Sequence, residues 1–159
     1  MFSVKKLIFV YLTAMLALAS LNASAQLADK KVLNLNGAKT IAAAAELHAI
    51  ANKWNVIIAV VDDGGHLIYL QRLDGAPTGS VAVAIGKART SAAFKGPTKV
   101  FDDMLQGRPS LASIPNAVFL EGGVPVMVDG QVVGAVGVSG ASSQQDAEIA
   151  AAGITALKL

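Results

Sequence analysis

Few residues in this chain can do chemistry. It has two histidines, His48 and His66, no cysteine, and a cluster of cations: Arg72, Lys87, Arg89, Lys95 and Lys99. Arginine and lysine suit carboxylates and phosphates. Lys95 and Lys99 fit a solvated helix face with ordinary surface pairs. Lys87 differs, because Gly86 and Ala88 flank it in a largely apolar helical stretch. A buried ammonium is costly unless an anion or several acceptors meet it. Lys87 is therefore expected to belong to a ligand site rather than a free surface.

Other chemistries are poorly served. Neither histidine has a second ligand at i+3 or i+4, so no metal site is expected, and a structural or exposed role is the simpler account of both. His66 sits at a turn, where an imidazole could serve as an axial ligand to haem iron. Gly137-Val138-Ser139-Gly140-Ala141 is not the G-x-S-x-G of a nucleophile elbow, because its second glycine comes one residue early. Glycines at 134, 137 and 140 make neither a dinucleotide fingerprint nor a phosphate loop. Asp62, Asp63 and Asp74 stand beside or near glycines, where aspartate usually forms turns. No catalytic residue is identified.

The elements that must position these groups are clearest at residues 121–153. Asp129-Gly130 between alternating apolar residues is a strong hairpin signal, since a two-residue primed turn needs positive φ at both centres. Val132, Val136 and Val138 share a strand face with Gly134, and Gly137 lies on the other. A strand glycine often marks close approach of another chain or a ligand. Ser142 and Gln145 can cap the following helix reciprocally. The free N–H groups of such a strand–helix junction suit an anionic group.

Upstream, Asn36 is expected to cap a helix over 37–53, with Ile41, Ala44, Leu47, Ala51 and Trp54 on one broad face. Residues 56–61 form an unbroken apolar run, the pattern of a strand buried on both faces. Asp62-Asp63-Gly64-Gly65 turns it, and residues 66–73 return. Helices follow over about 79–95 and 99–106, then a loop over 107–115. Strands are expected at about 117–121, 124–129 and 131–139, and a last helix over 143–157. The order α-β-β-α-α-β-β-β-α predicts an α+β domain, a mainly antiparallel sheet of about five strands flanked by helices.

Residues 1–25 are expected to lie outside that domain. Lys5 and Lys6 precede an apolar run from Leu7 to Leu21, and Ala23-Ser24-Ala25 supplies a cleavage pattern. This reads as a secretory signal peptide with Gln26 as the mature terminus. Removing 25 of the 159 residues leaves 134, one domain over 26–159. The signal carries two of the 13 basic residues, so the remaining 11 balance the 11 acids. That balance argues against a nucleic-acid partner. A periplasmic or secreted protein with no membrane span after cleavage is expected. The many small apolar residues and few charges point to a homo-oligomer.

Several blocks together resemble the GlcG/HbpS-like family. They are Ala59-Val60-Val61-Asp62-Asp63-Gly64-Gly65-His66-Leu67, Arg72-Leu73-Asp74-Gly75-Ala76, Ser80 with Lys87-Ala88 and Thr90, and Phe94 with Pro97-Thr98. Glu121-Gly122-Gly123-Val124-Pro125, Gly134 to Gly140 and Asp146 complete the series. The resemblance covers about residues 35–157. It implies an antiparallel sheet flanked by helices, assembly into dimers or larger homo-oligomers, and in one exported branch haem binding. It also implies that Thr90, in Lys87-Ala88-Arg89-Thr90, is the iron-side contact. Other haem-binding relatives use a histidine, which matches neither His48 nor His66 unambiguously.

The resulting expectation is an exported haem- or tetrapyrrole-binding protein, a scavenger, buffer or sensor accessory. Ala, Val and Gly surfaces would supply a slot, and Arg72, Lys87 or Arg89 the cations for two propionates. The family position favours Thr90 at the iron and ligand chemistry favours His66, so a pocket containing Thr90 is the first expectation and His66 the second. A second reading is an enzyme or accessory protein for a small, glycolate-like organic acid, whose carboxylate would bind at Lys87 or at the helix start near Ser142. A third is a structural oligomer without ligand.

Overall fold

The computed structural model describes residues 28–158. The described residues fall into two units, 28–30 and 31–158. Residues 28–30 carry no regular secondary structure. The expected signal peptide, 1–25, lies outside the described residues. The second unit holds α1 (Leu35–Ala51), β1 (Ile57–Asp62), β2 (Leu67–Arg72), α2 (Ser80–Phe94) and α3 (Thr98–Gly107). A 3-10 turn (Pro109–Ser113), β3 (Gly123–Val128), β4 (Gln131–Ser139) and α4 (Ser143–Thr155) follow.

The strands form one antiparallel sheet in the order β2-β1-β4-β3. β1 is central and apolar on both faces, and alternation along it divides the core in two. Val56, Ile58 and Val60 pack with Val136, Val138, Ile41, Ala45 and Ile149, beneath α1 and α4. Ile57, Ala59 and Val61 pack with Ala84, Ala88, Ala92 and Ala135, beneath α2. The α+β architecture is as expected, with helices on both faces of the sheet.

The sheet has four strands, not five. Residues 117–121 are not a strand, because side chains take their amide groups. Val118 N–H donates to Thr90 Oγ1 at 2.8 Å, and Glu121 N–H to Asp102 Oδ2 at 2.9 Å. The first helix is capped by Asn34 rather than Asn36, its side chain accepting from Gly37 N–H at 2.9 Å. The Asp129-Gly130 hairpin turn forms, with φ of 48° and 75°.

Gly137 is approached by the protein's own helix. A Cβ placed there would lie 2.1 Å from the Ala84 carbonyl and 2.5 Å from Ala88 N. Its small size lets α2 lie directly on β4. This contact fixes the helix that carries Lys87, Arg89 and Thr90 against the sheet.

Candidate functional site

A cleft of about 470 Å³ opens where three segments meet. Gly64, Gly65 and His66 come from the β1–β2 turn, and Arg89, Thr90, Ala93 and Phe94 from α2. Pro115, Asn116 and Ala117 come from the connection before β3. The size falls within the roughly 300–1,000 Å³ of small-molecule sites. Ala93, Phe94, Pro115 and Ala117 supply an apolar wall. Phe94 is braced by Phe101 and Phe119, at ring separations of 5.2 and 5.8 Å.

The β1–β2 turn is built by Asp62. Its Oδ1 accepts from His66 N–H at 2.8 Å, and its carbonyl from Gly65 N–H at 3.0 Å. The His66 ring stands 83% exposed, with Nδ1 3.3 Å from Asp62 Oδ1. Partial burial pushes the Asp62 carboxyl up. The His66 N–H bond, the imidazole's charge and the Gly64 N–H outweigh it and hold the carboxyl below its usual value.

The α2 wall is tied to both neighbours. Arg89 Nε donates to the Gly65 carbonyl at 3.2 Å, joining helix to turn. Thr90, 1% exposed, accepts from Val118 N–H and so holds the 115–118 wall. Asn116 adopts φ of 60°, which asparagine tolerates better than most residues. The structure thus brings His66, Arg89 and Thr90 into one cleft.

It does not bring Arg72 or Lys87 there. Arg72 pairs with Ile57 at the far end of the β1–β2 hairpin, where its Nη2 donates to the Ala76 carbonyl at 3.0 Å. Lys87 is 2% exposed, and its ammonium lies 2.8 Å from Asp146 Oδ2 and 3.0 Å from the Val138 carbonyl. Gly122, at φ of 126°, roofs this pair; a Cβ there would stand 2.7 Å from Lys87 Nζ.

The same pair fills the strand–helix junction. Asp146 Oδ1 accepts from Ala141 N–H at 3.1 Å, and the Ser142–Gln145 capping box forms. The anionic group at that helix start is the protein's own carboxylate. Burial pushes Asp146 above its usual value, against the hydrogen bond and charge of Lys87 and the Ala141 N–H. His48 lies elsewhere, its Nε2 3.2 Å from Glu148 Oε1 between α1 and α4.

Sequence reasoning missed the cleft's third wall, 115–117, and the pairing of Lys87 with Asp146. The positions of Pro115 and Asp146 were visible, but neither periodicity nor spacing links them to α2. Among the described residues no group of three or more His, Asp or Glu side chains could hold a metal ion. Nor is any helix among them long and apolar enough to cross a membrane.

The chain is similar to known proteins across this whole unit. Residues 33–155 match the family described as haem degrading protein HbpS-like. Protein GlcG of Escherichia coli K12 is 45% identical over 111 residues, 69% of this chain and 83% of GlcG. A crystal structure of a Streptomyces reticuli HbpS double mutant superposes with a TM-score of 0.80 at 35% identity, covering 86% of this chain and 94% of that one. A PduOC–haem complex superposes with a TM-score of 0.74 at 27% identity, covering 80% and 96%. This chain belongs to the HbpS-like family.

Proposed function

We propose that the protein binds haem or a related tetrapyrrole in the cleft between the β1–β2 turn, α2 and residues 115–117, and that it does so as an exported homo-oligomer. The cleft itself carries the proposal. It combines an apolar wall, an exposed imidazole and a guanidinium in one opening. The fit is physical: Ala93, Phe94, Pro115 and Ala117 would cover part of a macrocycle face. His66 offers the one imidazole in the lining, and Thr90, which the family resemblance offers as the iron-side contact, also lines it. Haem, when bound, would supply the redox-active iron. The haem complex of the PduOC structure supports the ligand class.

Two observations weigh against the organic-acid reading. Both anion-accepting features assigned to it, Lys87 and the start of α4, already hold Asp146. Export rests on the pattern of residues 1–25, and oligomerisation on the small apolar composition.

Haem titration of the purified mature protein, followed in the Soret region, tests the proposal. A saturable, stoichiometric shift is expected. No shift, with thermal stabilisation by glycolate-like acids instead, would favour the organic-acid reading. A Soret band that forms and then decays would extend the proposal to haem degradation, the chemistry in the family's description. Gln26 at the terminus of exported protein and a scattering mass above one chain test the remaining parts.

A further inference from the structure

The charge of the cleft is one-sided. Its lining contains Arg89 and His66 but no aspartate or glutamate. Asp62 lies against the His66 imidazole and offsets that group. Among the described residues, Lys31, Lys87 and Lys99 each meet a carboxylate. Arg89 meets none.

Arg89 is nevertheless held in place. Its Nε donates to the Gly65 carbonyl, and a Cβ placed on Gly65 would lie 3.5 Å from Arg89 Cγ. The turn therefore packs on the stem and anchors the base of the guanidinium. The terminal nitrogens keep their N–H donors in a planar fork that matches a carboxylate. A fork fixed before binding loses less freedom when the ligand arrives.

We propose that Arg89 is the carboxylate-recognition residue of this cleft, so that the site selects planar apolar ligands with a free carboxylate, as on the propionate edge of a tetrapyrrole. The assignment rests on the haem-binding proposal above. Lys87 and Arg72, the other cations considered for this role, are turned to Asp146 and to the Ala76 carbonyl.

The test compares haem with haem dimethyl ester, which keeps the macrocycle and iron but has no carboxylate. Both are titrated in the same mixed solvent against the wild-type mature protein, Arg89→Gln and Arg89→Lys. Wild type should prefer the free acid by about tenfold or more, the scale of a charge-assisted hydrogen bond. Arg89→Gln should lose that preference with its melting temperature unchanged, and Arg89→Lys should keep part of it. Equal binding of acid and ester by wild type would overturn the role of Arg89 and leave haem binding standing. So would a full preference retained in Arg89→Gln. Failure of wild type to bind either compound would overturn haem binding, and Arg89's role with it. If Arg89→Gln does not fold, the wild-type ratio decides alone.

Discussion

Two cations on α2, two residues apart, occupy opposite environments. Lys87 is enclosed, its ammonium fixed by Asp146 and a strand carbonyl under Gly122. Arg89 is exposed, on the solvent side of the helix, where it holds the β1–β2 turn and faces the cleft. Two residues turn an α-helix by about 200°, so neighbours in sequence look in opposite directions. One charge organises the fold, and the other remains available to a ligand. Type and spacing alone assign both to an anion; only the tertiary partner shows whether that anion is internal.

The largest test of this contrast is Lys87→Met, which keeps the stem and removes the charge. Asp146 would stay buried with only the Ala141 N–H, and breaking such a pair costs about 3–5 kcal/mol. Arg89→Gln should cost less than about 0.5 kcal/mol, as exposed substitutions do. Urea unfolding of both variants measures the difference. Adding Asp146→Leu to Lys87→Met should recover part of the loss, because the unpaired charge then disappears. A Lys87→Met protein with wild-type stability would break the comparison.

Gly122→Ala should come next, at about 2 kcal/mol, since it combines an unfavourable φ with crowding of an ammonium. Its φ is 126°, and the added Cβ would fall 2.7 Å from Lys87 Nζ and 2.9 Å from the Val138 carbonyl. The loss should appear in the unfolding midpoint without a change in m. Adding Lys87→Met should make the two losses less than additive, because both act on one packed site.

The legible parts of this fold were the local ones. The β1 run, the Asp129-Gly130 turn and the Ser142–Gln145 box each depend on residues a few positions apart, and all formed. Residues 117–121 misled because their apolar character resembles a strand. Phe119 instead enters an aromatic cluster with Phe94 and Phe101, while Thr90 and Asp102 take two of the segment's amides. Asn34 and Asn36 are equally good caps by type, and only the backbone conformation at Asn34 separates them. The site was less legible because it is non-local. Lys87 and Asp146 stand 59 positions apart, and the cleft draws on three separated segments.

The two regions should also answer pH with opposite signs. Asp146 is raised above 3.8, so between its unfolded and folded values the native state binds more protons. Stability from this group therefore falls as pH rises through the window above 3.8. Asp62 is lowered below 3.8, so its stabilisation is present above that value and is lost as pH falls through its folded value. The stability gap between wild type and Asp146→Asn should narrow as pH rises from about 4. The gap to Asp62→Asn should widen over the acid range and then level off. It should remain small, because Asp62 is partly solvated and exposed pairs are weak. Gaps with the same slope would remove the electrostatic part of the contrast.

The smallest effect on stability, and the sharpest on ligand chemistry, is expected from His66→Ala. The ring is 83% exposed, and its contact with Asp62 is an exposed pair. The turn is held by the His66 backbone N–H, which alanine retains. Stability should change by less than about 0.5 kcal/mol. Thr90→Val acts differently, since it removes the acceptor of Val118 N–H inside the fold. It should cost about 1–3 kcal/mol and loosen the 115–118 wall. Because the Thr90 oxygen is already engaged there and the His66 imidazole stands open, His66→Ala should shift the haem spectrum without shifting the melting temperature. Thr90→Val should lower affinity and melting temperature together. A spectrum altered only by Thr90→Val would return the iron-side contact to the threonine and make His66 a bystander at the cleft's edge.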